Sequence, residues 1–537
     1  MNASVENGVV KKSIFNWRAW ITVDPRSLAV FRVAFGLLCL IDLWQRWPHI
    51  AMLYTNEGVL PNHYALYMTG EGPQRLSLLY MLDEVWEVKV FFLATAGILM
   101  AFVAGWRTRL FQVLGMICMI SIHNRNWVVH IGADIVHNLW WLWTIALPLG
   151  RSWSVDAWLA ARKGVPLETL RAPIRSLAIT GFMMQLAVIY FFNTIHKTGD
   201  TWMKGEAVYW LLHQDRILTD FGFWFRGWAP MSVLWAMSWG TLIVEGLAPI
   251  LIWSPFAVVW CRRVLVVSLI GLHLSIAAVT DLSLFSYMMS VSYMLLLTSQ
   301  DCDLLGRFGR WLAGKLGGAW LAIEGAMRSV GLWLEAHTHV RDIEVPDSPK
   351  HHPVRFWAAQ VFVVVAFLSC FHRAMDQNRA LRKTFPDHKM PTWANTFSHY
   401  GDFQQGWQLF APDAPVKDGW MIVDAELDDG THIDPRTGEV PNLDQMADAR
   451  LRHWTHYEEN LMFRLQFQKH LFAKWAVWFA NGEHQRGLIP PGKDVVAFTA
   501  WWISDVSPAP GTGDAPIFER KRKIYSWKAK AGPLRSK

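Results

Sequence analysis

Long apolar stretches separated by short polar ones fill most of the first 300 positions, and that pattern predicts transmembrane helices. A helix of about 20 apolar residues crosses about 30 Å of hydrocarbon. Stretches of roughly that kind fall near 27–47, 88–105, 111–130, 133–150, 176–195, 231–253, 264–280, 284–299 and 354–372. The third, seventh and eighth are short or broken by polar residues. From about 375 the chain turns polar, with turn signals at APDAP, DDG and DPRTG. Within that region WMIVDAELDDGTHIDPRTGEV alternates apolar and polar residues and breaks at Asp429-Gly430, which predicts a β-hairpin. Helical periodicity over 446–480 and a further strand over 494–503 complete the pattern. The expected fold is a polytopic α-helical membrane protein of about nine transmembrane helices with a small α+β C-terminal domain. The expected segments are a transmembrane region at 1–300, a loop at 301–353, a last transmembrane helix at 354–374 and a soluble domain at 375–537.

Loop charge adds an orientation. Lys11, Lys12, Arg18 and Arg26 precede the first stretch, and Arg107 and Arg109 follow the second. Arg151, Arg162, Lys163, Arg171 and Arg175 lie between the fourth and fifth, Arg262 and Arg263 between the sixth and seventh, and 300–353 is basic. Nine crossings put all five groups on one side, which the positive-inside rule makes cytoplasmic. The N-terminus is then inside and the C-terminal domain extracytoplasmic. Basic and apolar residues in GRFGRWLAGKLGGAWLAIEGAMRSVGLWLEAH predict an amphipathic helix on the inner surface.

Composition narrows the function. Only 18% of the 537 residues are charged, against about a quarter in soluble proteins. Many of the 33 tryptophans sit near the ends of apolar stretches, as in interfacial aromatic belts. A net charge of +7 with no basic stripe between stacking aromatics excludes a nucleic-acid partner. The five cysteines form no CxxC pair, so no disulfide framework, zinc signature or iron–sulfur site is expected. Walker, Rossmann, HExxH and GxSxG motifs are absent.

Ionisable residues inside apolar stretches are functional candidates. In HNRNWVVHIGADIVHN, His123, His130 and His137 are spaced by seven and would share one helical face. Neighbours would lie about 10 Å apart along the axis, too far to share a metal, and no metal is expected. Asp134 would sit one turn from both His130 and His137. His196, Lys197 and Asp200 follow the fifth stretch in YFFNTIHKTGDTWMKGEAV. A lysine in partly apolar surroundings loses its charge more easily and can serve as a base; a snorkelling anchor is the competing reading. Glu245 and His273 stand alone inside apolar stretches and need partners on other helices.

At these residues the sequence resembles the vitamin K-dependent gamma-carboxylase superfamily, and within it the bacterial HTTM proteins. SLAVFRVAFGLLCLIDLWQR, IHNRNWVVHIGADIVHNLWWLW, IHKTGDTWMKGEAV and GLHLSIAAVTDLSLFSY carry the resemblance over about 25–300, and QGWQLFAPDAP and DGTHIDPRTGEVP extend it to the tail. The resemblance implies a lyase that uses reduced vitamin K or menaquinol, with O2 and CO2 as co-substrates, to carboxylate glutamate. In that chemistry a neutral lysine deprotonates the hydroquinone, which leaves as its epoxide. The family's Lys-x-x-x-x-Trp pattern is matched by Lys197 and Trp202. Its Asn-His pair before a glycine falls on Asn126 and Trp127, so the asparagine is kept and the histidine is not. The implied catalytic residues are Lys197, Asn126 and His273, supported around the quinone by His123, His130, Asp134, His196, Asp200, Trp202 and Glu245. The implied setting is the bacterial inner membrane, with an exported peptide or protein client and the quinone reached through the bilayer. Two other readings fit the same residues: a non-catalytic scaffold or export and maturation partner, and a small-molecule or proton transporter.

Overall fold

The computed structural model describes residues 17–68, 75–316, 353–435, 437–444, 456–467, 489–512 and 517–529, with a few isolated positions elsewhere. The first apolar stretch folds as α1 (Pro25–Arg46), started by Pro25 in the first turn and by Asp24, whose carboxylate accepts from the Arg26 amide. Next come α2 (Val85–Ala104), closed by Gly105 in the left-handed region, and α3 (Thr108–Arg125). These lead to α4 (Gly132–Thr144), α5 (Leu177–His196), α6 (Met231–Trp253) and α7 (Val258–Val279). α8 (Phe285–Ser292), α9 (Ser299–Leu316) and α10 (Pro353–Gln377) complete the helical region.

Six helical stretches among the described residues are long and apolar enough to cross a membrane: Pro25–Tyr54, Val85–Ala104, Leu177–His196, Met231–Trp253, Val258–Val279 and Trp357–Gln377. The chain is a membrane protein. The expected stretches at 111–130, 133–150 and 284–299 appear as α3, α4 and α8, which are shorter or end in polar residues. Their packing differs too. Trp140 and Trp141 of α4 are fully buried, while α6 and α7 leave Ile243, Leu247, Ile250, Val264 and Val267 exposed, as suits lipid-facing helices. Trp44, Trp47, Trp86 and Trp260 are exposed near helix ends, and the α4 tryptophans are core residues instead.

The expected continuous helix through the three histidines does not form. α3 stops at Arg125, a single 3-10 turn follows at Trp127–Val129, and α4 begins only at Gly132. Val128, Val129, Ile131 and Gly132 are poor helix formers. The Asn126 side chain caps the Val128 amide, and Asp134 caps the start of α4 by accepting from the Ile131 amide at 3.1 Å. The chain reverses here, so His123 and His137 come together with ring centroids 4.9 Å apart.

α9 is amphipathic, with Leu304, Leu305, Phe308 and Trp311 exposed alongside Arg307 and Lys315. Most of 317–352 lies outside the described residues. The C-terminal region contains α11 (Thr392–Tyr400), α12 (His456–Leu465) and an antiparallel sheet of β1 (Lys417–Leu427), β2 (His432–Ile433), β3 (Val495–Val506) and β4 (Ile517–Lys528). The strand order is β2-β1-β3-β4. The turn at Asp429-Gly430 joins β1 to β2, with Gly430 at φ 81°. Strand β4 has no counterpart in the sequence reading, because FERKRK carries charge on successive positions.

Candidate active site

α5 sets the site. Tyr190, Asn193 and Lys197 follow one another at helical spacing on the side of α5 that meets α6 and α7. The amide of Lys197 closes the helix on the Thr194 carbonyl. Its Nζ lies 2.6 Å from Glu245 Oε2 on α6, and Asn193 Nδ2 donates to Glu245 Oε1 at 2.8 Å. Trp202 covers the ammonium with its ring centroid 4.4 Å from Nζ, and Trp202 Nε1 donates to the Phe410 carbonyl at 2.8 Å. About two helical turns before Lys197, the Tyr190 hydroxyl lies 2.9 Å from His273 Nε2 on α7 and also contacts the Tyr293 hydroxyl. His273 Nδ1 is buried with no hydrogen-bond partner among the described residues.

These groups line a cavity of about 930 Å³. Ile189, Leu272, Ile276, Phe285 and Met289 supply apolar wall, and the C-terminal region closes another side. Leu409 and Phe410 reach in from the loop after α11, where the Leu409 amide donates to Asn193 Oδ1 at 3.1 Å. His456, Glu459, Asn460 and Phe463 of α12 form another part of the wall, and Asn460 Nδ2 bonds the His130 carbonyl. Burial pushes the Lys197 ammonium below the usual lysine range, with the Glu245 carboxylate opposing that shift. The result is a buried amine–carboxylate pair that a proton can cross within one hydrogen bond, facing an apolar chamber.

A second polar cluster lies apart from the cavity lining. Arg46 Nε contacts both oxygens of Asp42, at 3.0 and 2.9 Å, and the same guanidinium bonds Asp134 and the Tyr54 hydroxyl. His123 Nδ1 faces Asn138 Oδ1 at 2.8 Å, and its Nε2 is 3.5 Å from one oxygen each of Asp42 and Asp134. Cys39 Sγ is 3.0 Å from His137 Nε2, and the Tyr457 hydroxyl from α12 donates to Asp42 Oδ1 at 2.9 Å. All of these side chains are buried.

The family model described as HTTM domain matches residues 20–301. The chain belongs to the HTTM family. That family is associated with the vitamin K-dependent carboxylases. No solved structure matches the chain. The HTTM span contains Lys197, Glu245, His273 and both histidines of the second cluster, whereas the loop around Phe410 and α12 lie beyond it.

The sequence-predicted residues separate in space. Lys197, Trp202, Glu245 and His273 meet in the cavity, and His130 and Trp127 reach its lining from the chain reversal. His130 Nε2 lies 2.6 Å from Asp402 Oδ2 in the C-terminal region, and Arg75 also bonds Asp402. Asn126 is turned away from the cavity, donating to the Leu53 carbonyl at 2.9 Å. His123 and Asp134 belong to the second cluster, and Asp134 pairs with Arg46 instead of His130 or His137. His196 bridges the Trp407 carbonyl and the Ala380 amide, and Asp200 is exposed beside Lys204 at 2.9 Å. Tyr190, Asn193, Tyr293 and Tyr457 escaped sequence reading because neutral polar residues carry no signal there. Asp42 and Arg46 did carry one, as an oppositely charged i,i+4 pair inside an apolar stretch.

Proposed function

We propose that this HTTM protein is a membrane-embedded, quinol-dependent enzyme of carboxylase type, with Lys197 as its base. One observation carries the reading: a buried lysine, its pKa lowered, sits 2.6 Å from a buried carboxylate at the wall of a large apolar chamber. The chamber fits a reduced vitamin K or menaquinol in volume and wall chemistry, and the unpartnered His273 Nδ1 offers a polar contact for a ring hydroxyl. Bound there, the quinol would supply oxygen-dependent reducing chemistry that no side chain of this chain provides.

The chain's own residues have separate tasks. Neutral Lys197 accepts a proton at Nζ, and Glu245 holds the amine in place and shares that proton. Asn193 fixes the Glu245 carboxylate, and Trp202 shields the amine from water. Tyr190 and Tyr293 orient the His273 ring. Asn126 acts as a positioning residue, holding the 126–131 reversal that carries Trp127 and His130 to the chamber. An exported peptide or protein would present its glutamate, in the presence of O2 and CO2, from the side that the C-terminal region covers. This reading places the protein in a bacterial inner membrane, with nine crossings, the N-terminus inside and residues 375–537 extracytoplasmic. The transmembrane region at 1–300 and the last helix at 354–374 are then joined by a cytoplasmic loop at 301–353.

The test uses the full chain in lipid with reduced vitamin K or menaquinol, O2, labelled bicarbonate and a glutamate-containing peptide. Quinone epoxide and peptide label are expected from the wild type, with epoxide reduced about 10²–10⁴-fold in Lys197→Ala. Epoxide without label would restrict the reaction to quinol oxidation. Neither product from a folded preparation, across both quinols, would overturn the enzyme reading in favour of a scaffold.

A further inference from the structure

We propose that Asp42, His123 and His137 form a buried binding site for a divalent transition-metal ion, separate from the cavity. One donor atom from each residue lies within 4.8 Å of the others, and all three residues are buried. None of them lines the chamber, so the site is structural: it would tie α1, α3 and α4 together beneath Tyr457 of α12.

The geometry of His123 favours an ion over a hydrogen bond. Its Nδ1 faces the Asn138 carbonyl oxygen at 2.8 Å, which places the ring proton there and leaves the Nε2 lone pair pointing inward. That lone pair meets carboxylate oxygens of Asp42 and Asp134, each at 3.5 Å. A charged N–H···O⁻ bond would close to about 2.7–2.9 Å. Two donors about 2.1 Å from one tetrahedral ion are instead about 3.4–3.5 Å apart. The 3.5 Å between His123 Nε2 and Asp42 Oδ2 is therefore that of two donors sharing a cation.

The surrounding residues are those a metal site requires. A ligating imidazole donates its other N–H to a fixed acceptor, and a ligating carboxylate is itself hydrogen-bonded. Asn138 meets the first condition for His123. Arg46 and Tyr457 meet the second for Asp42, whose Oδ1 takes the tyrosine hydroxyl. With neutral imidazoles, Asp42 and Asp134 outnumber Arg46 by one charge, which either a proton on His123 or a bound cation supplies. Cys39 Sγ lies 3.0 Å from His137 Nε2, a hydrogen-bond distance, and would have to move outward to join the ion as a fourth, thiolate donor. Imidazole and thiolate donors select zinc, iron or cobalt over calcium or magnesium.

The experiment is metal analysis of the full chain, purified in detergent with a tag that lacks histidine. About one zinc or iron per chain is expected, falling to about a tenth in His123→Gln and His137→Gln. After chelation, added Co²⁺ should give tetrahedral d–d absorption bands and restore the lost thermal stability. X-ray absorption of that wild-type cobalt protein should show two imidazoles, a measurement that needs no variant to fold. Absence of metal together with absence of Co²⁺ bands would overturn the proposal, as would bands that persist in both variants or a cobalt shell without imidazole. The cluster would then be an ion-pair network. None of these readouts depends on quinol turnover, so the outcome is independent of the proposed activity.

Discussion

Lys197 and Glu245 share one hydrogen bond of 2.6 Å, and each side chain sets the behaviour of the other. Burial lowers the affinity of Lys197 for its proton, and the Glu245 carboxylate restores part of it. Glu245→Gln removes the restoring charge and keeps a hydrogen-bonding side chain of the same size. The Lys197 pKa then falls further, so neutral amine persists to lower pH. The acid limb of a pH–rate profile for epoxide formation is expected to move toward acid. An unmoved limb would show that Lys197 is not the group titrating. The candidate residues themselves were legible, because charge in an apolar stretch is conspicuous: Lys197 and Trp202 by pattern, Glu245 and His273 by isolation. Their partnership was not. Positions 197 and 245 meet only through the packing of α5 on α6, and no periodicity within either helix encodes that contact.

At the scale of elements, close packing makes α5 intolerant of added volume. A Cβ at Gly181 would overlap the ring of Trp143 on α4, and that tryptophan is buried with Nε1 bonded to Gln185 Oε1 at 3.3 Å. Gly181→Ala gains helix propensity and loses more by overpacking, for a net destabilisation of about 1–3 kcal/mol. A thermal melt in lipid nanodiscs should show the loss, and an unchanged melting temperature would mean that α4 and α5 separate freely. The long helices α1, α2, α5, α6, α7 and α10 were readable because each buries or exposes an unbroken apolar surface. The reversal at 126–131 was misread as helix, since a spacing of seven fits both a helical face and a chance placement across a turn. Asn126 as a cap and Asp134 three residues after Ile131 are the local signals that distinguish the two. β4 was hidden because Lys521, Arg522 and Lys523 place charge on both faces of an edge strand, a pattern that protects edges and erases alternation.

At the scale of the whole molecule, the membrane helices and the C-terminal region are joined through buried polar contacts. Asp402 is the clearest. Burial alone would raise its pKa, but His130 and Arg75 hold it well below the usual carboxylate range. A carboxyl whose folded pKa is depressed stabilises the fold above its unfolded pKa, about 3.9, and loses that contribution as pH falls toward the folded value. Asp402→Asn is expected to destabilise by on the order of 3 kcal/mol at neutral pH. The gap between variant and wild type should narrow below about pH 4. Chemical unfolding at pH 7 and pH 3.5 measures both, and a gap independent of pH would show that the charge of Asp402 is not what matters.

The family match ends at residue 301, while the chamber does not. Leu409, Phe410 and the inner face of α12 are as much its wall as α5 is. The segment that the family model matches thus encloses its space only with help from a tail outside it. Exchanging tails between two such chains would exchange part of the container along with the lid, so the helical block alone is a vessel with one side missing.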